Sequence, residues 1–434
     1  METHAYGFDK ISDLRIIDES ESWTSAGGQF RVEPAPSDQG PDIMVTVSHR
    51  ISYPWKIEEP NVVPFDDGLR VERPDITQPE MLSGSSYSTR ACYETYIVVK
   101  IKEHSTFANL AFSTDILDVE LSAFLKDIEV SNSTVVSTSS GHIHAFGLSG
   151  RRTYLRSHSG AISGSYALLD LLHVRSTSGS VVINVDPQKV STSEPAPAEL
   201  DIGTTSGSIR VSMPTAGRIP ARDYISKIYS TSGSIEGKYL FSSLMYAESK
   251  SGSHGMTLLP YLTKEVEQQQ IRTVSLGSMD IEILEPCYAT SSDALGQEND
   301  IIEQTRSDYL SNLASVHRTT SGSIKLVYPD SWNGRLSASS TSGSIHIRGS
   351  GMHQIEGSDG WFNKHERWER GNGDGSIDIA STSGSIAFDI GSPVNTLCAA
   401  AGKRGVGPEE MILWLLGRGK LERIEGVWCF VCAS

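Results

Sequence analysis

Few residues in this chain combine a type and a spacing that point to chemistry. His142 and His144 stand two apart and so share a face on any strand. A metal would need at least one further ligand, so the pair reads as a solvated or ladder position. The run Asn372-Gly-Asp374-Gly-Ser376-Ile-Asp378 suggests the start of a calcium loop. Ile377 stands where that loop needs its glycine, however, and no bidentate Glu closes it. Ile377 and Ile379 fit a strand instead. Cys429 and Cys432 form one CxxC without a second pair, too few ligands for zinc. No nucleophile elbow, phosphate loop or zincin helix is written in the chain. The aromatic segment at 349–372 offers Trp361, Phe362 and Trp368 as platforms for a sugar or a protein, with His365 alongside. With Asp359, Asp374 and Asp378 it also supplies the carboxylates that glycoside hydrolysis requires. These residues define a candidate binding site, with polysaccharide cleavage as the alternative. Neither a catalytic residue, a cofactor nor a metal is assigned.

What must position these residues is a repeat. Thr-Ser-Gly-Ser-Ile recurs at 205–209, 231–235, 320–324, 341–345 and 382–386, and as TSGSV at 177–181. Weaker copies surround Gly141, Gly160, Gly252 and Gly375. Five before the Gly the residue is mostly apolar (Val136, Leu155, Val174, Ile202, Ile228, Ala338, Ile379), with His317 the exception. Three before stands Ser or Thr; one before stands Ser. After the Gly, apolar residues fall at plus two and plus four, as in Ile209 with Val211 and Ile345 with Ile347. Alternation of this kind is the period of a half-buried strand. The inward parity is odd before the Gly and even after it, which one continuous strand cannot do. The chain therefore bends at Ser-Gly, where Gly is expected to take positive φ. The corners are Gly141, Gly160, Gly179, Gly207, Gly233, Gly322, Gly343 and Gly384.

One strand–corner–strand unit buries too little surface to fold alone, whereas stacked units share a continuous core. The expectation is an all-β chain: a right-handed parallel β-helix-like solenoid of about 20-residue repeats, with loop excursions. Corner-to-corner spacing is 19 for 141→160, 160→179 and 233→252, rising to 28 for 179→207. Extra residues lie at Asp186–Glu199, Pro214–Asp223, about 286–314 and about 349–372. All leave after the strand that follows the Gly, so they should crowd the side opposite the corner. The organisation expected is irregular strands and loops or first coils over 1–92, the solenoid over 93–392, and a tail over 393–434. Pro408-Glu-Glu-Met411 opens a helix in that tail. It either covers the open end of the stack, binds a partner, or belongs to a non-native tail.

Apolar residues make up 38 % of the 434, low for a globular core but suited to a thin, Ser/Gly-rich rod with much surface. The formal charge of −16 and pI near 5.2 disfavour nucleic acid and anionic lipid. Five scattered cysteines make no disulfide framework. No apolar run is long enough to span a membrane, and the first residues do not read as a signal peptide. The chain as written is expected to be soluble, and at the cell surface or secreted if an N-terminal segment precedes it. The sequon Asn132-Ser-Thr134 matters only in that second case.

The series HVRSTSGSVVINV, IGTTSGSIRVSM, IYSTSGSIEG, HRTTSGSIKLVYP and SASSTSGSIHIRGS resembles the adhesin β-solenoid family, relatives of autotransporter adhesin heads. The similarity covers roughly 93–391. It implies the right-handed solenoid, a surface or envelope-associated role, and a partner such as a cell-surface glycan or protein. The family offers no catalytic residues to carry over. A non-enzymatic structural or binding protein is therefore expected, with an intracellular scaffold as a further alternative.

Overall fold

The computed structural model describes residues 2–391 except 20–25, 52–55, 58–60, 73–75, 78–92, 192, 217–218, 264–265, 267, 289–309 and 359–361, together with strands Gly419–Ile424 and Val427–Cys432. Two 16-stranded, mostly parallel sheets hold nearly all of the described chain. No α-helix occurs among the described residues, and one 3-10 turn covers Ala123–Asp127. The helix expected from Pro408 falls outside them; what is described of the tail is an antiparallel hairpin, Gly419–Ile424 with Val427–Cys432. Cys287 is disulfide-bonded.

From Thr106 to Ile283 the chain alternates between the sheets. Each strand before a corner joins sheet II and each strand after it joins sheet I. Ser176 ends one such strand, Leu171–Ser176, and Val181 begins the next, Val181–Pro187. The plus-two residues pair in one column from coil to coil: Ile143, Ile162, Val181, Ile209, Ile235, His254, Met279, Ile324, Ile386 and Ile345. All are buried. Each such aliphatic side chain contributes about 1.5–3 kcal/mol. Repetition of one residue type along a column is thus what a parallel, in-register stack makes of a sequence repeat.

At the corner the structure corrects two expectations. The Ser or Thr three before the Gly is buried, but the Ser one before it is exposed. The parity change occurs within the two residues ahead of the Gly, not at it. Nor do the corner glycines have positive φ. They are required by close approach. A Cβ on Gly207 would lie 2.0 Å from the carbonyl oxygen of Gly179, and one on Gly179 1.9 Å from that of Gly160. The corners form a column of backbone packed on backbone. The buried hydroxyl beside each corner locks it. Ser249 Oγ accepts from the Gly252 N–H at 2.8 Å and donates to the Gly233 carbonyl of the preceding coil at 3.1 Å. Ser176 and Ser381 do likewise. Burying these hydroxyls leaves no unmet hydrogen bond.

The ends of the stack depart from sequence order. Strands Gly375–Ser381 and Ile386–Ile390 sit between the coil of Leu313–Thr319 with Ile324–Tyr328 and the earlier-written coil of Gly334–Ser340 with Ile345–Arg348. At the other end, Asp13–Glu19 and Ala26–Pro34 pair with the later strands Thr106–Thr114 and Asp118–Leu121. Antiparallel strands close three of the four sheet edges. Glu2–Phe8 and Ile43–Ile51 extend sheet I, Val62–Phe65 caps sheet II, and the hairpin His353–Ser358/Lys364–Arg370 caps its far end. An unpaired edge is a template for association, and a covered one is not.

Candidate functional site

The Asp186–Glu199 and Pro214–Asp223 excursions leave where expected, between a sheet I strand and the next sheet II strand. The 286–314 excursion lies mostly outside the described residues. The 349–372 segment does not behave as a side loop. It folds onto the open edge of Gly334–Ser340, because that edge offers unmet backbone groups. Of the aromatic residues proposed from sequence, Trp361 lies outside the described residues, as does Asp359. Phe362 is 73 % exposed. Trp368 packs against the core, its Nε1–H donating to Glu366 at 2.9 Å. Asp378 sits in a sheet II strand and pairs with Arg318 at 3.1 Å. Gly375–Ser381 is regular strand, so the calcium-loop residues do not form a loop around a centre. His142 Nδ1 accepts from the Ala161 N–H, and His144 Nδ1 meets the Ser163 hydroxyl at 2.8 Å. Both histidines serve the inter-coil ladder. Among the described residues no three His, Cys, Asp or Glu side chains group to hold a metal.

The outward columns of the sheets are where recognition must be written, because inward columns are committed to the core. On sheet I the two outward columns from His144 to Asp389 carry Arg210, Lys238 and Lys325 against Glu236, Asp280, Glu282 and Asp389. Sheet II differs. One column runs Tyr154, His173, Asp201, Lys227, Tyr246, Arg272, Val316, Asp378. The adjacent one runs Arg156, Arg175, Gly203, Tyr229, Glu248, Val274, Arg318, Ala380. Arg156, Arg175, Lys227, Arg272 and Arg318 outnumber Asp201, Glu248 and Asp378. This face is therefore basic on a chain of charge −16.

Ring contacts link neighbouring coils. Tyr154 and His173 lie 5.8 Å apart, and Tyr229 and Tyr246 5.3 Å. The Arg175 guanidinium stands 5.9 Å from the Tyr229 ring and that of Arg272 5.7 Å from Tyr246, within cation–π range. Six coils at the strand spacing make this row about 24 Å long. Gly203 interrupts it by design of size: a Cβ there would come within 3.1 Å of the Arg175 side chain. Beside it lies a shallow cavity of 510 Å³ lined by Arg156, His158, Arg175, Thr205 and Tyr229. A second groove of 770 Å³ lies further along, lined by Lys250, Arg318, Lys364 and His365 with Ser and Thr hydroxyls.

Burial and hydrogen bonds shift several ionisable groups of this face. Burial raises the Asp201 carboxyl, but hydrogen bonds from His173 and Arg175 outweigh it and hold the group below its ordinary value. Arg175 donates to both Asp201 oxygens at 2.8 Å. Burial, then the hydrogen bond to Glu248, pushes the Tyr246 hydroxyl up to about 12. Burial also raises Tyr229. The hydrogen bond to Glu199 raises Lys227. Tyr229 and Tyr246 thus stay protonated and Asp201 ionised at neutral pH, which makes stacking surfaces and a fixed charge rather than a poised acid–base pair. Sequence reasoning missed this face. Its signal was the outward columns, visible on aligning the positions four and six before each corner.

No family model matches this chain, and no curated protein matches it. Among solved structures it is similar to a "putative cell adhesion protein" from Clostridium sporogenes, at 9 % identity over 90 % of this chain and 99 % of that one. The TM-score of 0.13 is too low for that likeness to carry an argument.

Proposed function

We propose that the protein is a non-enzymatic, adhesin-like binding protein, a right-handed parallel β-helix-like solenoid that presents the outer face of sheet II to a cell-surface glycan or protein. The carrying observation is the row Tyr154–His173–Arg175–Tyr229–Tyr246–Arg272 on a rigid parallel sheet. Aromatic faces held at coil spacing suit sugar rings or extended peptides, and a rigid sheet loses little entropy on binding. The disulfide at Cys287 supports an oxidising, extracellular setting. Asn132 is exposed, as a sequon used there must be. No helix among the described residues is long and apolar enough to cross a membrane.

The test is a glycan array and a cell-wall pull-down with purified protein, run beside a reducing-end assay. Saturable binding without turnover is expected. Tyr229→Ala with Tyr246→Ala should weaken it roughly tenfold, since both rings lie outside the core. Turnover of any polysaccharide, or binding indifferent to the double substitution, would sink the proposal.

A further inference from the structure

The sheet II face has a charge pattern that narrows its ligand, and this step rests on the binding role just proposed. Its basic side chains are not equivalent. Arg175 is neutralised by Asp201, Lys227 pairs with Glu199 at 2.7 Å, and Arg318 pairs with Asp378. Arg156 and Arg272 have no ion pair or hydrogen bond to another described residue. Both are exposed. They stand at opposite ends of the aromatic row, five coil spacings or about 24 Å apart. Arg156 opens onto the Gly203 cavity, whose far wall is the Tyr229 ring.

We propose that this face binds an acidic polysaccharide, with one acidic substituent (a carboxylate or a sulfate) seated in the Gly203 cavity against Arg156. Neighbouring sugars lie over Tyr229 and Tyr246, and a second acidic group meets Arg272. A guanidinium beside a cleft takes a planar carboxylate or a sulfate through paired N–H donors. The absent side chain at Gly203 lets the Arg175 side chain lie against the sheet, and the substituent sits beside it in the cavity between Arg156 and Tyr229. The charge density decides between anionic polymers. A duplex nucleic acid carries a charge about every 1.7 Å and needs a dense run of cations to release its counterions. Arg156 and Arg272 about 24 Å apart, with only Arg152 exposed beside the first, cannot supply that, and the chain's −16 opposes it. A polysaccharide with about one acidic group per sugar ring, sparser than a duplex, suits the sparse pattern better. Within a Debye length of about 8 Å the local charges outweigh the distant acidic surface.

The experiment titrates the full chain with polygalacturonate, chondroitin sulfate, dextran and oligo-dT, each at low and moderate salt. Acidic polysaccharides should bind and dextran at least tenfold more weakly. Arg156→Ala and Arg272→Ala should each weaken polygalacturonate or chondroitin sulfate roughly five- to tenfold, as loss of one charge-assisted contact does. Gly203→Val, which pushes the Arg175 side chain off the sheet and into the cavity while leaving Arg156 in place, should have the same effect; unfolding curves confirm that each variant is folded. Polygalacturonate carries carboxylates alone and chondroitin sulfate both carboxylates and sulfates, so binding of the second without the first assigns the sulfate; binding of either supports the proposal. Equal binding of dextran, or indifference to both Arg156→Ala and Gly203→Val, overturns it while leaving the binding role intact. Tighter binding of oligo-dT overturns it in favour of nucleic acid. Failure of every polymer, with Tyr229→Ala also silent in the cell-wall assay, overturns the binding role itself.

Discussion

Gly207→Ala tests the corner chemistry directly. The added Cβ would stand 2.0 Å from the Gly179 carbonyl oxygen, 2.5 Å from its carbon and 2.9 Å from the Ser180 nitrogen. Ordinary contact begins at 3.4 Å, so neighbouring coils must part by more than an ångström at this point. The obstacle is backbone on both sides, and no rotamer relieves it. Parting stretches the Thr205 N–H bond to Ser176 O at 3.2 Å and the Ser206 N–H bond to Thr177 O at 2.9 Å. It also disturbs the next corner, Gly233, which packs so closely that a Cβ there would lie 2.0 Å from the Gly207 carbonyl oxygen. Two or three hydrogen bonds at about 1 kcal/mol each, plus overpacking of about 1–3 kcal/mol, give a loss of about 3–6 kcal/mol. The comparison is Gly255→Ala, on the solvent face of a sheet I strand, where a Cβ meets nothing nearer than Glu236 Cγ at 3.8 Å. That change should be neutral or gain up to about 1 kcal/mol through the unfolded chain. Urea titrations of the three proteins, compared at equal slope, read the difference. Equal midpoints for the two alanine variants would falsify the close-approach explanation.

Ser249→Ala removes a hydroxyl that satisfies two buried backbone groups and should cost about 1–3 kcal/mol, whereas Ser251→Ala, whose hydroxyl is exposed, should stay within about 0.5 kcal/mol by the same titration. Burial depresses His317 to about 3, with nearby His254 adding to it, and depresses His254 to about 4. Both are neutral when folded, so the unfolded chain binds more protons below pH 6.5; stability is complete above that pH and drains away as pH falls toward 4 and 3. His317→Gln should remove about 3 kcal/mol of the loss between pH 6.5 and 4, and an unchanged pH profile would contradict the burial of this imidazole. Trp368→Ala should lower thermal stability while Phe362→Ala leaves it unchanged, since only the first packs on the core. Ile345→Asp should cost several kcal/mol, on the order of other uncompensated buried charges; near-native stability would contradict the register of Ile345 against Ile386.

What was legible in the sequence is what the stack repeats. The columns at minus five, minus three, plus two and plus four are set by burial, which acts alike on every coil, so Ile209, Ile235, Ile324, Ile345 and Ile386 announced both their depth and their neighbours. Ser232 misled because its type matches that of Ser230. One hydroxyl bonds the corner from inside, the other caps the Thr205 carbonyl from outside, and both tasks select serine. The reason for glycine was hidden because the obstacle belongs to a different coil. Trp368 read as a loop platform because nothing local shows that Gly334–Ser340 ends sheet II. The outer face of sheet II was obscured for the opposite reason to the core. Tyr154, His173, Asp201, Lys227 and Tyr246 share a column but not a residue type, so no repeat draws the eye to them.

The insertion of the last coil has a consequence for how the chain is made. From Thr106 onward, a chain made N-terminus first can add coils in order as far as Tyr328, each new strand finding a finished edge. The next one written, 334–348, finds its place only after 375–390 has been laid down, because its parallel partners are Gly375–Ser381 and Ile386–Ile390. During that interval about four strands' worth of polypeptide must wait while the edges of Leu313–Thr319 and Ile324–Tyr328 stay open. A chain cut anywhere between 349 and 374 therefore loses more than its missing residues: the coil before the cut has no seat. Assembly of this end is a closing step that needs the whole repeat region at once. Secretion through a narrow channel, N-terminus first, would hold it open until the last coil had passed.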